Sequence, residues 1–322
     1  MPTVVTKTVA PSGGDYTSLS AAITGELTAR ADLVARDEQL VIECAAFTDT
    51  TIVEIDGFTT DATRNIIVRA AAGAEHDGVP GAGYKLIASL SYGGALEALQ
   101  GYVEFHGIEV ENTGFAAAYG LTLQRGNNVV KDVICSGASE GGFGAGGLPF
   151  TQFINCLAVS CSVGLNTSNY DNVELLNCTA VNCTTGFAGH FYGGSVKLTN
   201  CVAFDCGTDF LPGAEPGSAN NASEDATAPG TSSVTSITSG AFEDYAGGDY
   251  TPAAGGALDD AGTDLSAFFT DDITGATRTQ WDIGAFGIVS AAPTAVEAPS
   301  PLQQLSNQFS TIAASRLNGV LQ

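Results

Sequence analysis

The sequence has few basic residues, a single methionine and no long apolar run. Its 322 residues include 11 Lys and Arg against 35 Asp and Glu, which gives a formal net charge of -24. So acidic a surface repels nucleic-acid backbones and anionic membranes, and we expect neither as a partner. No apolar stretch reaches the roughly 18 residues that a membrane-spanning helix requires.

The N-terminal stretch MPTVVTKTVAPSGGDY also lacks the basic and then apolar layout of a secretory signal peptide. We therefore expect a protein that is made and folds in a cytoplasm, where thiols stay reduced. The eight cysteines are then interpreted first as small buried apolar residues and only second as disulfide partners.

The abundant residues favour short strands and tight turns. Forty glycines, together with many Thr, Ser, Asn and Val residues, suit strands joined by turns and suit long helices poorly. We therefore expect a mostly β protein.

A short motif recurs along the middle of the chain. It reads NCLAVSC from Asn155, NCTAVNC from Asn177 and NCVAFDC from Asn200, at separations of 22 and 23 residues. Each copy follows an apolar alternating run such as NVELL or SVKLT. A period of this length with strand-type alternation predicts a solenoid.

The parity of the apolar residues places corners within each repeat. Val173 and Leu175 share one parity, whereas Cys178 and Ala180 share the other, so the chain must turn near Asn177. Strand, corner, strand, corner, strand in about 23 residues is one coil of a parallel β-helix, whose coils stack about 4.8 Å apart.

The stacking predicts three ladders and an alignment of the coils. Aligned on the residue after the Asn, two earlier coils contribute Gly107 and Asp132. The predicted ladders are a first internal stack of Cys156, Cys178 and Cys201, a second internal stack of Cys161, Cys183 and Cys206, and a corner ladder of Asn155, Asn177 and Asn200.

Two other roles for the cysteines remain open. A zinc site is disfavoured because the two cysteines of each repeat are separated by four residues, and because six thiols would lie along a line. Disulfides between neighbouring coils are sterically possible, although three members per stack leave one thiol unpaired.

The composition divides the chain into five segments. They are an N-terminal strand and capping helix at 1–30, parallel β-helix coils at 31–211, a loop or linker at 212–233, terminal β-helix rungs at 234–289, and a Pro/Ala spacer with a C-terminal helix at 290–322.

The C-terminal segment LQQLSNQFSTIAASRLNGVLQ has an apolar stripe at helical spacing. We expect an amphipathic helix that packs on its own β-helix, on copies of itself or on a partner. The predicted docking residues are Leu302, Leu305, Phe309, Ile312, Arg316, Leu317 and Val320.

Three segments together resemble a known superfamily. GGDYTSLSAAI near the N-terminus, the coils with Asn-Cys corners, and DDAGTDLSAFFTDDITGATRTQWDIGAFG near residue 289 resemble the pectate-lyase-like right-handed parallel β-helix superfamily. The resemblance covers about residues 11 to 289. It implies the fold but not one activity, because lyases, hydrolases, adhesins, phage tailspikes and phage head-decoration proteins all share it.

The aligned coils contain no recognisable catalytic group. A β-helix lyase needs a cluster of acidic residues with a basic residue, and a hydrolase needs paired carboxylates. The alignment instead puts Glu109, then Val133 or Ile134, and Ala158 at similar places, and His106 is interpreted as a satisfied or exposed histidine. The sequence therefore predicts no catalytic residue, no metal ligand and no cofactor.

The sequence favours a non-enzymatic virion protein. With the resemblance, it suggests a trimeric β-helix that decorates or cements a phage capsid and contacts the major capsid protein or another virion protein. The alternative is a tailspike or secreted carbohydrate-active β-helix that binds or depolymerises a polysaccharide, with a glycan site formed between subunits.

Overall fold

Three parallel β-sheets wind around one apolar core. The structure, a computed structural model, describes residues 1–146, 150–167, 173–189, 196–211, 213 and 217–288. Seven successive coils each contribute one strand to every sheet, and the solenoid is right-handed. The predicted all-β, right-handed parallel β-helix with an N-terminal helix is confirmed. The predicted C-terminal helix lies outside the described residues.

The described elements are two α-helices, two short 3-10 helices and a series of short strands. The helices are α1 (Leu19–Arg30) and α2 (Leu33–Arg36), with 3-10 turns at Ser239–Ala241 and Tyr245–Gly247. The strands are β1 (Thr3–Val9), β2 (Glu38–Cys44), β3 (Thr48–Asp49), β4 (Val53–Ile55), β5 (Ile66–Ala70), β6 (Lys85–Ala88), β7 (Tyr92–Ala98), β8 (Val103–His106), β9 (Glu109–Asn112), β10 (Ala117–Leu123), β11 (Asn128–Lys131), β12 (Ile134–Ser136), β13 (Gly141–Ala145), β14 (Thr151–Ile154), β15 (Leu157–Val159), β16 (Val163–Thr167), β17 (Val173–Leu176), β18 (Thr179–Val181), β19 (Thr185–Gly189), β20 (Val196–Thr199), β21 (Val202–Phe204), β22 (Thr208–Phe210), β23 (Ala222–Ser223), β24 (Phe242–Asp244) and β25 (Asp249–Pro252).

Every third strand joins the same sheet. Sheet 1 has the order β1-β2-β5-β8-β11-β14-β17-β20, sheet 2 the order β3-β6-β9-β12-β15-β18-β21-β23, and sheet 3 the order β4-β7-β10-β13-β16-β19-β22. Equivalent residues of successive coils face each other directly, as Phe153 faces Leu175 and Leu175 faces Leu198. These inward columns are fully buried or nearly so and form the core.

Helix α1 covers the N-terminal end of the coils. Ser18 caps it by accepting a hydrogen bond from the Ala21 amide. Its buried face includes Glu26, which pairs with Arg30 one turn later and accepts a hydrogen bond from the Tyr16 hydroxyl. That bond, with burial, raises the pKa of Tyr16 to about 12. The helix protects strand edges that would otherwise be exposed.

The predicted alignment of the coils was wrong by one residue in the two earlier coils. Gly107 and Asp132 share the positive φ of Asn155 and stack with it, not with Cys156. Asp132, for example, donates its amide to the carbonyl of Ile154, the residue before Asn155. Glycine, aspartate and asparagine are the residues that best tolerate this left-handed corner conformation.

The predicted boundaries after residue 211 also need correction. Within the predicted loop at 212–233, strand β23 still pairs with β21 and continues sheet 2. Instead of further rungs at 234–289, strands β24 and β25 form an antiparallel hairpin. Residues 256–288, the C-terminal strap, then run back along the outside of the coils.

The strap covers apolar side chains that point outward from sheets 1 and 2. Leu265 and Phe269 pack on Leu176 of sheet 1. On sheet 2, Ile283 packs with Val202 and with other outward residues of the same column. Strands apolar on both faces are typical of sheets buried on both sides. The strap is therefore part of the folded body.

Among the described residues, no helix combines the length and apolarity that crossing a bilayer demands.

Candidate functional site

The predicted cysteine stacks lie inside the solenoid. Cys156, Cys178 and Cys201 are buried, as are Cys161 and Cys183 of the second stack, whose third member Cys206 is partly exposed. All eight cysteines are free thiols. Burial raises the pKa of the Cys156 and Cys201 thiols well above the ordinary value. Such thiols are poor nucleophiles, and these stacks provide packing.

The corner asparagines form an interrupted ladder. Asn200 donates its side-chain amide to the Asn177 side-chain oxygen at 3.0 Å, and Asn155 donates to the Asp132 carboxylate at 3.0 Å. Asn177 does not continue the ladder to Asn155, because its amide donates to the carbonyls of Asp282 and Gly284 in the strap, both at 2.8 Å. The corners therefore hold the strap as well as one another.

Arg278 fastens the strap at the same corner. Its Nη2 donates to the Asn155 side-chain oxygen at 3.1 Å and to the carbonyls of Gly284 and Ala285 at 3.1 and 2.9 Å. Its Nη1 and Nε donate to the carbonyls of Phe286 and Asp271 at 3.2 Å. Burial lowers the pKa of Arg278, although the nearby aspartates oppose that shift.

A cavity of about 400 Å³ opens beside this corner on the outer face of sheet 1. Four chain segments line this corner cavity: β5, the loop at residues 71–84, β8 with the corner from β11, and the strap turn at 273–275. The sequence alignment missed it because it compared coils with one another and not with the loop or the strap. Its ionisable side chains are Arg69, Glu75, Asp77, Glu104, His106 and Asp132.

A buried histidine holds the loop at residues 71–84 against the cavity. His76 is fully buried, and its Nδ1 accepts the Gly78 amide at 2.9 Å. The other ring nitrogen therefore carries the proton and donates to the backbone carbonyl of Asp132 at 2.7 Å. Burial lowers the pKa of His76 below its ordinary value, and the bond to Asp132 opposes that shift.

Two titratable features face the corner cavity. Burial raises the pKa of the Asp132 carboxyl to about 7, even though Lys131 and the Asn155 amide both favour its charged form. On the neighbouring strand β8, Nε2 of His106 lies 3.0 Å from Oε2 of Glu104. A carboxyl group that keeps its proton near neutrality beside a histidine and carboxylate pair is an arrangement suited to acid and base chemistry.

A row of charges flanks His106 along sheet 1. Arg69 and Lys131 face His106 from the two neighbouring strands. Arg69 pairs with Glu43 at 2.6 Å, and Lys131 pairs with Asp271 of the strap at 2.7 Å. Lys131 Nζ also lies 3.6 Å from Oδ2 of Asp132 in the cavity wall, so both cations are neutralised by carboxylates.

A second and shallower depression of about 200 Å³ lies on the outer face of sheet 3. We call it the sheet 3 groove. The half-buried Tyr119 ring lies along the backbone of the next coil, where a Cβ at Gly141 or Gly144 would come within 2.8 or 3.0 Å of ring atoms. The glycines thus leave the space that the ring occupies. The Tyr119 hydroxyl lies 3.4 Å from the Asn166 side-chain nitrogen, one coil further.

A buried hydroxyl lies beneath the same groove without a partner. Thr122 is 4% exposed and lines the groove, and within the described part of the chain its Oγ1 makes no hydrogen bond. A buried polar group left unpaired costs about 1–3 kcal/mol of stability.

Paired carboxylates also occur on this face. Glu54 of β4 and Glu97 of β7 occupy facing positions in neighbouring coils. Glu97 accepts the Gly94 amide at 2.6 Å, which holds its carboxylate against the backbone of its own strand. The alignment of regular coils missed this pair because β4 belongs to an irregular early coil.

Within the described residues, no group of three or more His, Cys, Asp or Glu side chains is arranged to hold a metal ion. The aspartates between Asp259 and Asp272 mainly accept backbone and side-chain hydrogen bonds in turns. Asp272, for example, accepts the Thr274 amide and the Gly287 amide.

Comparisons with known proteins agree with the fold. The sequence-family model described as "Right handed beta helix region" matches residues 95–236. No curated protein matches the sequence.

Two solved structures align with much of the chain at low sequence identity. The pectate lyase Pel9A aligns at 16% identity and a TM-score of 0.49, over 89% of this chain and 97% of that chain. A pectin methylesterase from Aspergillus niger aligns at 14% identity and a TM-score of 0.43, over 65% of this chain and 68% of that chain. At these identities and TM-scores the likeness does not extend to substrate or activity.

Proposed function

We propose that this protein is a carbohydrate-active β-helix that binds a neutral polysaccharide along the sheet 3 groove. The observation that carries the proposal is the half-buried Tyr119 ring, laid along glycines of the next coil in a groove that the Glu97 side chain also lines. An aromatic face beside polar groups is what recognition of a sugar requires, because a sugar ring has an apolar face and a polar rim.

The glycines and the tyrosine act together. Gly144 lies between the Tyr119 ring and the Thr122 methyl group, with no side chain to block the groove. The ring is supported from below by backbone, so it does not lose rotational freedom when a sugar stacks on it. A preorganised platform of this kind costs little entropy on binding.

The charge of the groove favours a neutral sugar. Its lining residues include the carboxylate of Glu97 and no Lys or Arg. With a net charge of -24 over the whole chain, a polyuronide would be repelled both at a distance and at contact. The proposed ligand class is therefore a polysaccharide without carboxylate or sulfate groups.

Affinity electrophoresis in gels containing neutral polysaccharides tests the proposal. Tyr119→Ala is expected to abolish retardation of the protein, and Phe268→Ala to leave it unchanged, since Phe268 is an exposed aromatic of the strap far along the chain from sheet 3. Equal loss in both variants, or retardation by polyuronides alone, would contradict the proposal.

A second candidate function is the virion role, a trimer that decorates a phage capsid and contacts the major capsid protein. It is favoured by Tyr92 and Phe115, which are 75% and 83% exposed on neighbouring coils. Tyr92 faces Ala117 of the next coil, two residues after Phe115, and exposed apolar side chains on one surface are typical of protein contact surfaces. Light scattering would show trimers that Phe115→Ser dissociates; a monomeric wild-type protein would contradict this role.

A further inference from the structure

The second internal cysteine stack opens to solvent at one end. Cys161, Cys183 and Cys206 lie at equivalent positions of successive coils and pack with Ala138 in a small cluster of their own. Cys206, at the end of the stack, is partly exposed, whereas the other seven cysteines are buried. We propose that this stack binds a soft monovalent metal ion, Cu(I), between the thiols of Cys183 and Cys206. The site is separate from the sheet 3 groove and does not depend on polysaccharide binding there.

The register of the coils sets the distance between the two thiols. The residues two positions before and two positions after Cys183 and Cys206 face each other directly in neighbouring strands. The two cysteines are therefore in register, with their Cα atoms about 4.8 Å apart. A metal ion held in a straight line between two thiolates, with bonds of about 2.3 Å as in zinc–thiolate sites, requires sulfur atoms about 4.6 Å apart. The spacing of the coils matches that requirement.

The side chains of the stack contact one another through their sulfur atoms. A hydrogen bond to Cys183 raises the pKa of the Cys206 thiol above its ordinary value, and burial raises it further. The Cys161 thiol likewise raises the pKa of Cys183 to about 12. Both thiols therefore keep their protons at neutral pH, and a metal ion must displace those protons to bind. Soft cations do so, whereas Mg²⁺ and Ca²⁺ prefer oxygen ligands.

The linear arrangement also selects the metal. Structural zinc takes four ligands at the corners of a tetrahedron. Nowhere in the part of the chain that the structure describes do three His, Cys, Asp or Glu side chains converge on one point. Cu(I) is the first-row ion that thiolates select and that accepts two ligands in a line. A column of thiols therefore suits Cu(I) better than zinc.

A buried carboxylate lies near the open end of the stack. Asp209 is 1% exposed, and its charge contributes to the raised pKa of the Cys206 thiol. One of its oxygens accepts the amides of Glu224 and Asp225, while the other, Oδ1, has no hydrogen-bond partner among the described residues. Burial raises the pKa of Asp209 to about 6. A cation bound at Cys206 would offset this buried negative charge.

Binding exchanges two protons for one metal ion. The thiols of Cys183 and Cys206 each release a proton to solvent, and each sulfur forms one bond to the metal. The ion enters and stays as Cu(I), so no electron is transferred. The two thiolates and the ion together carry one negative charge.

Competition with a coloured chelator measures the proposed site. The full-length protein is titrated, without oxygen, into the Cu(I) complex of bicinchoninate, whose absorbance falls as the protein takes the ion. The wild type is expected to remove one Cu(I) per chain, and X-ray absorption of the loaded protein should show two sulfur neighbours. Cys183→Ala leaves the other two thiols of the stack two coils apart. It should weaken uptake about 100-fold or more, since loss of even an indirect partner of a metal ligand costs up to that factor.

The first internal stack supplies the matched control. Cys178→Ala removes the central thiol of three cysteines that are all buried, and Cu(I) uptake should be unchanged. Asp209→Asn should lower the affinity and keep both sulfur neighbours. Cu(I) should raise the melting temperature of the wild type and of Cys178→Ala but not that of Cys183→Ala. No uptake by the wild type, equal uptake by Cys183→Ala and the wild type, or equal losses in the two alanine variants would overturn the assignment.

Discussion

His76 and Asp132 are joined across 56 residues by a hydrogen bond of 2.7 Å from the imidazole Nε2 to the backbone carbonyl. The bond links the loop at residues 71–84 to a corner of the solenoid. Both residues are titratable, and burial shifts their pKa values in opposite directions. The stability of the protein at this corner should therefore depend on pH in two separable ways.

His76 makes the fold sensitive to acid. In the folded protein the pKa of His76 lies below the ordinary 6.5. Below about pH 6.5 this histidine therefore binds a proton in the unfolded chain but stays neutral in the folded protein. The contribution of His76 to the free energy of unfolding is complete above pH 6.5, and it is lost as the pH falls toward the lowered pKa of the folded protein. Urea unfolding between pH 5 and 7 should show this loss in the wild type and not in His76→Gln; parallel curves would contradict it.

Asp132 acts in the opposite direction. Its pKa of about 7 lies above the ordinary 3.8, so the unfolded chain ionises first as the pH rises from about 4 to 7. The contribution of the Asp132 carboxyl to the free energy of unfolding is present at acid pH and is lost as the pH rises from about 4 to 7. Asp132→Asn should thus be more stable than wild type above pH 7, measured by thermal unfolding, while Glu174→Gln keeps the wild-type slope. A wild-type slope in Asp132→Asn would refute the raised pKa.

Thr122 carries a hydroxyl that is expected to lower the stability of the fold. Thr122→Val removes the unpaired hydroxyl with little change of shape, so the protein should gain up to about 1–3 kcal/mol of stability. Calorimetric melting measures the gain, and a melting temperature equal to or below that of the wild type would contradict it.

Arg278 should be important for stability because the strap depends on it. Arg278→Ala leaves the Asn155 side chain and several strap carbonyls without their donor, at a cost of about 2–4 kcal/mol. Arg36→Ala is the control, since the half-exposed Arg36 pairs with Glu38 near the surface and should cost less than about 1 kcal/mol. Chemical unfolding of both variants compares them. Equal effects would show that the strap is held by its apolar contacts alone.

The internal cysteines offer a test of packing. Cys178 is 2% exposed, and its thiol lies 3.5 Å from the Phe153 carbonyl of the preceding coil. Cys178→Ser places a more polar atom in the stack and should destabilise the protein by about 1–3 kcal/mol. Thermal stability equal to wild type would contradict the assignment of this stack to the core.

The repeat could be predicted from the sequence because residues close together in the chain, namely the alternating apolar residues and the recurring corner residues, specify each coil. The alternation that surrounds Asn155 and Asn177 specifies strands, corners and the inward parity of the cysteines. The one-residue error in the earlier coils arose because Asn-Cys was taken as the anchor. The physical anchor is the left-handed corner, which Gly107 and Asp132 also adopt.

The corner cavity could not be predicted in the same way. Asp271 meets Lys131 across 140 residues, and Arg278 meets Asn155 across 123. No periodicity specifies such contacts. One signal was available: Leu157 and Val202 are apolar at outward positions of sheet 2, which indicates that something covers them.

The strap changes how this solenoid can come apart. In a simple linear array each coil touches only its neighbours, so the array frays from its ends and its stability is a sum of local terms. Here the strap binds the corners of the two coils before the last one, through Arg278 to Asn155 and through the bond from Asn177 to Gly284. Opening the strap therefore also removes contacts from those two coils. Because the strap joins the last coil to earlier ones, we expect the described body to unfold cooperatively, in one all-or-none transition. A stack of seven coils without the strap would unfold gradually from its ends.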